Sequence, residues 1–481
     1  MVRLGKFVTA IVIAAIFLSL TADGLHSYFA PDDMMNIYGY WSRSPAELLT
    51  ANLMFFRDTS RPMAAIFYYP LFTLFGLNPL PYRVVCLALL LANLLLLYAF
   101  SRLVSRSGEI GALACVIGAY HAHLADLYYN VDTIYDLLCF FFYFATFVYY
   151  LKIRERDRYP SVPAVVGLWL LYVCALNSKE MAVSLPCLIG LYELVYHPPK
   201  YTVASIRSWL ICEARLLWPM VPTTAAYLIG KMAGPNRMTA NPDYYPYITL
   251  RVLTKNWQHY LYDLLYGYIE VDTSWVPLLF ASLLSLALAA RSRDLVFSWF
   301  MITIGALPVV FIAPRGLFVL YVTLPGWYLY AARCLVMLRD WLFRVLKADR
   351  LLKPESGQIA LFVGTVALLI PLHLHQREWG RGGLIAAQVA ARAVPDQLAR
   401  TRLTMRRGAR VLFLSDPYPV DDWILTFTFR LYYRDKEIEV DRAKVLAARP
   451  RAPASCYDHV FKLDNWVLTE VSANSVPRCV P

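Results

Sequence analysis

Apolar runs of about twenty residues recur along most of this chain, and that repetition limits the fold more than any motif does. A run of that length crosses a hydrocarbon core of about 30 Å as a helix. A helix also satisfies its own backbone hydrogen bonds where no water is present. Eleven runs are read as spans: Phe7–Leu20, Pro81–Ser101, Ile110–Ala125, Ile134–Leu151, Val162–Leu176, Met181–Tyr196, Leu216–Ile229, Trp275–Ala290, Leu295–Ala313, Leu317–Val336 and Gln358–His373. The first is read as an uncleaved helix, because Leu20-Thr21-Ala22 makes a poor small-x-small cleavage site. The expected fold class is a mainly α, polytopic membrane protein with about 11 transmembrane helices.

Charge agrees with that reading. Only 17% of residues are charged and 59% are hydrophobic, with a mean hydropathy of +0.46. The net charge of +12 does not indicate nucleic acid, since the basic residues sit between the apolar runs. Lys152, Arg154, Arg156 and Arg158 follow one run, and a basic stretch from Arg339 to Lys353 follows another. This positive-inside pattern places the N-terminus in the cytoplasm and the C-terminus outside, as expected for a multi-pass protein of a bacterial inner membrane. Two long loops, 21–80 and 231–274, then lie on the outer side. Within the first, Pro45 to Leu49 and Met63 to Phe75 read as helices at the membrane interface.

Residues 1–374 are expected to form the membrane domain and 375–481 a small extracytoplasmic α/β tail. In the tail, Arg410–Ser415 reads as a buried strand, Asp421–Tyr433 as a helix capped by Asp421 or Asp422, and Glu437–Val440 and Asp458–Leu463 as further strands. Of nine cysteines, Cys456 and Cys479 lie in this tail and are candidates to pair. No GxGxxG, P-loop, GxSxG or internal repeat is present.

Chemistry is expected on the outer side. Asp32-Asp33, after Pro31, offers a general base or a divalent-ion clamp, or else only a turn. Arg61 suits phosphate recognition. His121, His123 and Asp126 lie at the outer end of the third run, where proton transfer or metal binding is an option. Lys179 and Glu180 are held tightly between two runs, and Arg315 is the charge in the loop before Leu317.

Taken in order, these stretches resemble the GT-C superfamily of polytopic glycosyltransferases, nearest the protein O-mannosyltransferase and TMTC-type branch. The likeness rests on Pro31-Asp32-Asp33, Arg61-Pro62, Leu74-Phe75-Gly76-Leu77-Asn78-Pro79 with Tyr82-Arg83, His121 with Asp126, Asn177-Ser178-Lys179-Glu180, and Leu324-Pro325-Gly326. It covers about residues 1–335 and leaves the tail unaddressed. His121-Ala122 departs from the His-Pro usual in that branch.

The resemblance implies an inverting transfer from a polyprenyl-phosphate sugar to a protein, lipid or glycan acceptor at the bilayer surface. Asp32 or Asp33 would be the base, and Asp126 a second acid. Lys179, Arg315 and Arg61 would bind the donor phosphate, supported by Glu180, His121 and His123. A divalent cation (Mg or Mn) on Asp32, Asp33 and Asp126 is the expected cofactor, if there is one. The competing class is a lipid or polysaccharide transporter. Its ionisable groups would sit near the bilayer midplane in two related halves, whereas here they cluster at the outer ends of the runs.

Overall fold

The computed structural model describes residues 2–56, 61–156, 161–200, 202–233, 237–347, 354–448 and 456–471. The helices, in chain order, are α1 (Val2–Thr21), α2 (Pro31–Trp41), α3 (Pro45–Leu53), α4 (Ala65–Phe75), α5 (Pro79–Ser105), α6 (Gly108–Gly118), α7 (Ala125–Tyr129) and α8 (Ile134–Arg156). There follow α9 (Val162–Ser178), α10 (Leu185–Tyr196), α11 (Val203–Leu217), α12 (Met220–Ala233), α13 (Leu250–Leu264) and α14 (Val276–Ala289). The membrane part closes with α15 (Arg293–Gly305), α16 (Leu307–Val310), α17 (Leu324–Val345) and α18 (Pro354–Thr401).

Every expected apolar run is helical in its greater part, and the chain is an integral membrane protein. The count of full-length spans is lower than eleven. Among the described residues, five helical segments are long and apolar enough to cross a membrane: Val8–His26, Pro79–Ser105, Ile134–Arg156, Arg293–Val310 and Glu355–Thr401. The pair Gly108–Gly118 and Ala122–Tyr129, bent by 71°, makes a sixth if it is one span.

The other runs fall short for identifiable reasons. Proline stands in the first turn of α9, α10 and α14, and sets where each begins. These helices have 17, 12 and 14 residues. Helix α17 has 22 residues but carries Arg333, Arg339, Asp340 and Arg344.

The two long loops, 21–80 and 231–274, are more ordered than their composition suggests. The Pro31-Asp32-Asp33 stretch is the first turn of α2, not a free turn. In the second loop, α13 is amphipathic and buries Asn256, Trp257, Tyr260, Leu261 and Asp263. The sequence reading assigned no helix there.

The tail holds β1 (Arg410–Ser415), α19 (Ile424–Tyr432), β2 (Glu439–Arg442), α20 (Ala443–Ala448), β3 (His459–Asp464) and β4 (Val467–Glu470). The sheet order is β2-β1-β3-β4, with β1 parallel to both β2 and β3, and β3–β4 an antiparallel pair. Asp422 Oδ1 accepts the Ile424 N–H at 2.8 Å, so the helix starts three residues later than Asp421. The boundary expected at 375 falls inside α18. That helix runs unbroken through 48 residues, and its Ala391, Val394 and Leu398 pack with Val411, Phe413, Phe429 and Phe461 in the tail core. The small α/β unit therefore begins on the last turns of a membrane helix. Cys456 is disulfide-bonded; Cys479 lies outside the described residues.

Candidate active site

Helix α2 presents two adjacent carboxylates in opposite environments. Asp33 is 0% exposed and its Oδ2 accepts the Ala30 N–H at 2.7 Å. An acid in the first turn also complements the helix dipole. Asp32, one residue earlier, is exposed. Burial pushes the Asp33 carboxyl up from its ordinary value, against the pull of Arg83 and the Ala30 N–H. Arg83 is 1% exposed on α5 and donates to the Tyr28 carbonyl. Its Nε and Nη1, like Asp33 Oδ1, have no hydrogen-bond partner among the described residues. Arg83 is thus the buried counter-charge of the acid helix.

A third acid comes from the turn before α8. Burial raises Asp132 well above its ordinary range, and the charges of Asp33, Asp32, Asp126 and Asp136 add to that rise. Asp126 accepts from Asn130 Nδ2 at 3.1 Å. Asp136, at the start of α8, is paired with Lys179 Nζ at 2.6 Å. Five aspartates therefore share one electrostatic neighbourhood. No group of three or more His, Cys, Asp or Glu side chains among the described residues is placed to hold a metal ion. Asp32, Asp33 and Asp126 do not form a three-ligand cage in this arrangement.

Cations gather beside the acids. Arg61 is positioned through its own backbone, whose carbonyl accepts from the Tyr40 hydroxyl of α2 at 2.7 Å. Its guanidinium grips Glu180 with Nε at 3.2 Å from both carboxylate oxygens and Nη2 at 3.0 Å from Oε2. Lys231 Nζ, from α12, stands 4.0 Å from Glu180 Oε1. Burial alone would raise the Glu180 carboxyl; Arg61 and Lys231 outweigh it and hold it down to about 2. Arg315 stacks 4.2 Å from the centre of the Tyr244 ring and donates to the Tyr244 hydroxyl at 2.9 Å. Burial opposes ionisation of that phenol, yet Arg61 and Arg315 lower it below its ordinary value. Arg61 and Lys231 thus converge on Glu180, and Arg315 joins the same neighbourhood through Tyr244, an arrangement that favours an anionic ligand.

Tyr135 joins the two groups. Its hydroxyl donates to Asn36 Oδ1 on α2 at 3.0 Å, and the Arg61 guanidinium lies 5.1 Å from its ring centre. A second link is the loop carrying Arg315. At Gly316 an added Cβ would stand 3.0 Å from the Phe318 ring and 3.7 Å from Asp126 Oδ2. Lys179 Nζ lies 5.5 Å from the centre of that same Phe318 ring. Glycine at 316 leaves room for the Phe318 ring, and the loop passes within ordinary contact of Asp126.

The expected residues are thus brought together in part. Asp32, Asp33 and Asp126 share one neighbourhood, and Arg61, Glu180 and Arg315 another beside it. Lys179 joins the edge of the acid group, neutralised by Asp136. His121 and His123 face elsewhere. The His121 ring stacks on Tyr266 at 4.0 Å, and His123 stacks on Trp379 at 4.2 Å and contacts Asp263 at 3.2 Å. Their ring partners come from the end of α13 and from α18, not from α2.

The sequence reading passed over Asp132, Asp136 and Lys231. Asp136 stands three residues after Thr133, whose carbonyl starts α8; a Thr-x-x-Asp pattern before an apolar run is a helix-start signal that could have singled it out. Lys231 carries no such local mark.

No family model matches this chain, and no curated protein matches it. Among solved structures it is similar to the crystal structure of ArnT from Cupriavidus metallidurans bound to undecaprenyl phosphate. The identity is 16% over 91% of this chain and 85% of that one, with a TM-score of 0.49. An overlay of that quality fixes no residue correspondence, so the functional reading stands on the side chains above.

Proposed function

We propose that this chain is a GT-C-type integral membrane glycosyltransferase. It moves a sugar from a polyprenyl-phosphate donor to a protein, lipid or envelope-glycan acceptor on the outer face of a bacterial inner membrane. The observation that carries this reading is Tyr135, whose hydroxyl rests on the acid helix and whose ring lies under Arg61. One aromatic ring thus connects the acid helix with the cation cluster, and glycosyl transfer from a lipid phosphate needs a base and positive charge close together. Orientation follows from α8. Asp136 lies near one end and Lys152, Arg154 and Arg156 near the other, about 24 to 30 Å apart along the helix axis. The positive-inside bias then puts the acids outside, in keeping with a disulfide-bonded Cys456 in the tail.

In the step we propose, Asp32 takes the proton from an acceptor hydroxyl. That oxygen bonds to the anomeric carbon as the carbon–phosphate oxygen bond breaks. The electron pair stays on the phosphate, and Arg61, Lys231 and Arg315 stabilise the charge that develops there. A single displacement inverts the anomeric centre. Asp33 is assigned a supporting part, because its carboxylate is sealed beneath α2.

The test is turnover by the purified full-length protein in nanodiscs, with a panel of polyprenyl-phosphate sugars, with and without EDTA. Transfer with release of polyprenyl phosphate is the expected result; uptake or flipping of lipid without transfer would overturn the reading. Two further outcomes are expected. Arg315→Ala weakens binding of undecaprenyl phosphate by roughly tenfold to a hundredfold, the range for one charge-assisted contact. An unchanged affinity, measured by native mass spectrometry, places the phosphate elsewhere.

The pH profile should also carry the signature of the acid group. Asp33 and Asp132 are both raised, so this patch takes up a proton at a pH above the ordinary carboxylate range. Turnover is expected to fall on an acidic limb near about pH 6, and Asp132→Asn should move that limb to lower pH. The linkage to stability has the opposite direction: a folded value above the unfolded one makes this acid's contribution to stability decline as pH rises from about 4 to about 6, while turnover rises. A limb that stays near pH 4 in the native protein would show that the patch does not control turnover.

A further inference from the structure

The tail packs against the acid helix. Helix α2 has 11 residues, shorter than a helix that persists alone in water, so its rigidity must come from what packs on it. On one side is α4, where Tyr68 stacks on Tyr40 at 5.2 Å and Phe72 meets Trp41 edge-on at 5.1 Å. On the other side is the tail. Phe427 of α19 lies 5.4 Å from the Tyr38 ring. Arg430 Nη1 donates to the Tyr38 hydroxyl at 2.8 Å, while its Nε is anchored on the Ile438 carbonyl at 2.8 Å. Lys436 Nζ donates to the Ser42 carbonyl at 3.0 Å and lies 5.1 Å from the Trp41 ring centre. Ser42 ends α2, where helix carbonyls lack partners and a cation is favoured. The acid at the start of α2 comes from the membrane domain; the cation at its end comes from a residue nearly 400 positions later in the chain.

We infer that Arg430 and Lys436 are positioning residues: the tail clamps α2 and so fixes the direction of Asp32. Tyr38 lies six residues beyond Asp32, about 9 Å along the helix, so the clamp acts through the helix and not on the reacting atoms. The catalytic part of this inference rests on the transferase reading; the mechanical part does not.

The test uses the full-length protein in nanodiscs and amide hydrogen exchange over residues 31–41. Arg430→Ala with Lys436→Ala is expected to speed exchange there by about tenfold or more, while α8 keeps its protection. Tyr38→Ala should give the same loosening with the tail sequence intact, which guards against a tail that simply fails to fold. Turnover should fall with the donor KM and undecaprenyl-phosphate affinity unchanged, and Arg430→Lys should restore part of it. Unchanged exchange over 31–41 in both variants overturns the clamp, as does loss of donor affinity in step with turnover. Exchange needs no substrate. A native protein that transfers no sugar would therefore sink the proposed activity, while the exchange data decide the clamp separately.

Discussion

Asp32→Asn is expected to lower turnover by about two to four orders of magnitude, the usual contribution of a positioned general base. Folding and undecaprenyl-phosphate affinity should be unaffected. The physical ground is the exposure of Asp32 at the second position of α2. The amide has nearly the same shape and makes no new demand on the core, but it cannot accept the acceptor's proton. The measurement is single-turnover transfer at saturating donor, with lipid binding followed on the same preparation. Turnover within a few-fold of the native value would remove Asp32 from the chemistry. Lost lipid binding would mean that the residue supports the phosphate site instead.

Its neighbour should behave differently. Asp33→Ala leaves the Arg83 guanidinium buried without its nearest counter-charge, and the Ala30 N–H without its acceptor. Leaving a buried N–H without its acceptor and a buried charge less compensated costs about 1–3 kcal/mol, so the variant should melt at a lower temperature in detergent. Asp33→Leu combined with Arg83→Met should regain most of the loss, because no uncompensated charge then remains inside. If Asp33→Ala keeps its stability and loses only turnover, the two aspartates have exchanged roles. The two side chains are adjacent in sequence and cannot be told apart by residue type. What separates them is that position N3 of α2 turns into the protein and N2 turns out.

Several features could be read from the chain alone. The apolar runs determined that the chain is helical and membrane-embedded, since in lipid only backbone that pairs with itself is tolerated. The short apolar stretch at Arg410–Ser415 marked the central strand of the tail. Residue type and spacing also named Asp32, Asp33, Arg61, Glu180 and Arg315 as chemically capable groups. Each of these properties is local: a run of apolar residues, an alternation, a charge where charge is rare.

The tertiary structure decided what depends on distant partners. Among the described residues eleven apolar runs yielded five or six membrane-length helices, with prolines at the starts of α9, α10 and α14 and charges within α17. Helix α18 carried the membrane domain straight into the tail core. Glu180 became the centre of a cation cluster because Arg61 and Lys231 converge on it from 119 positions before and 51 positions after. The tail reached back to α2 through Arg430 and Lys436. The physical reason is the range of the forces. Backbone conformation and membrane partitioning are set over one or two helical turns, whereas a charge is worth something only against the charge that folding places beside it.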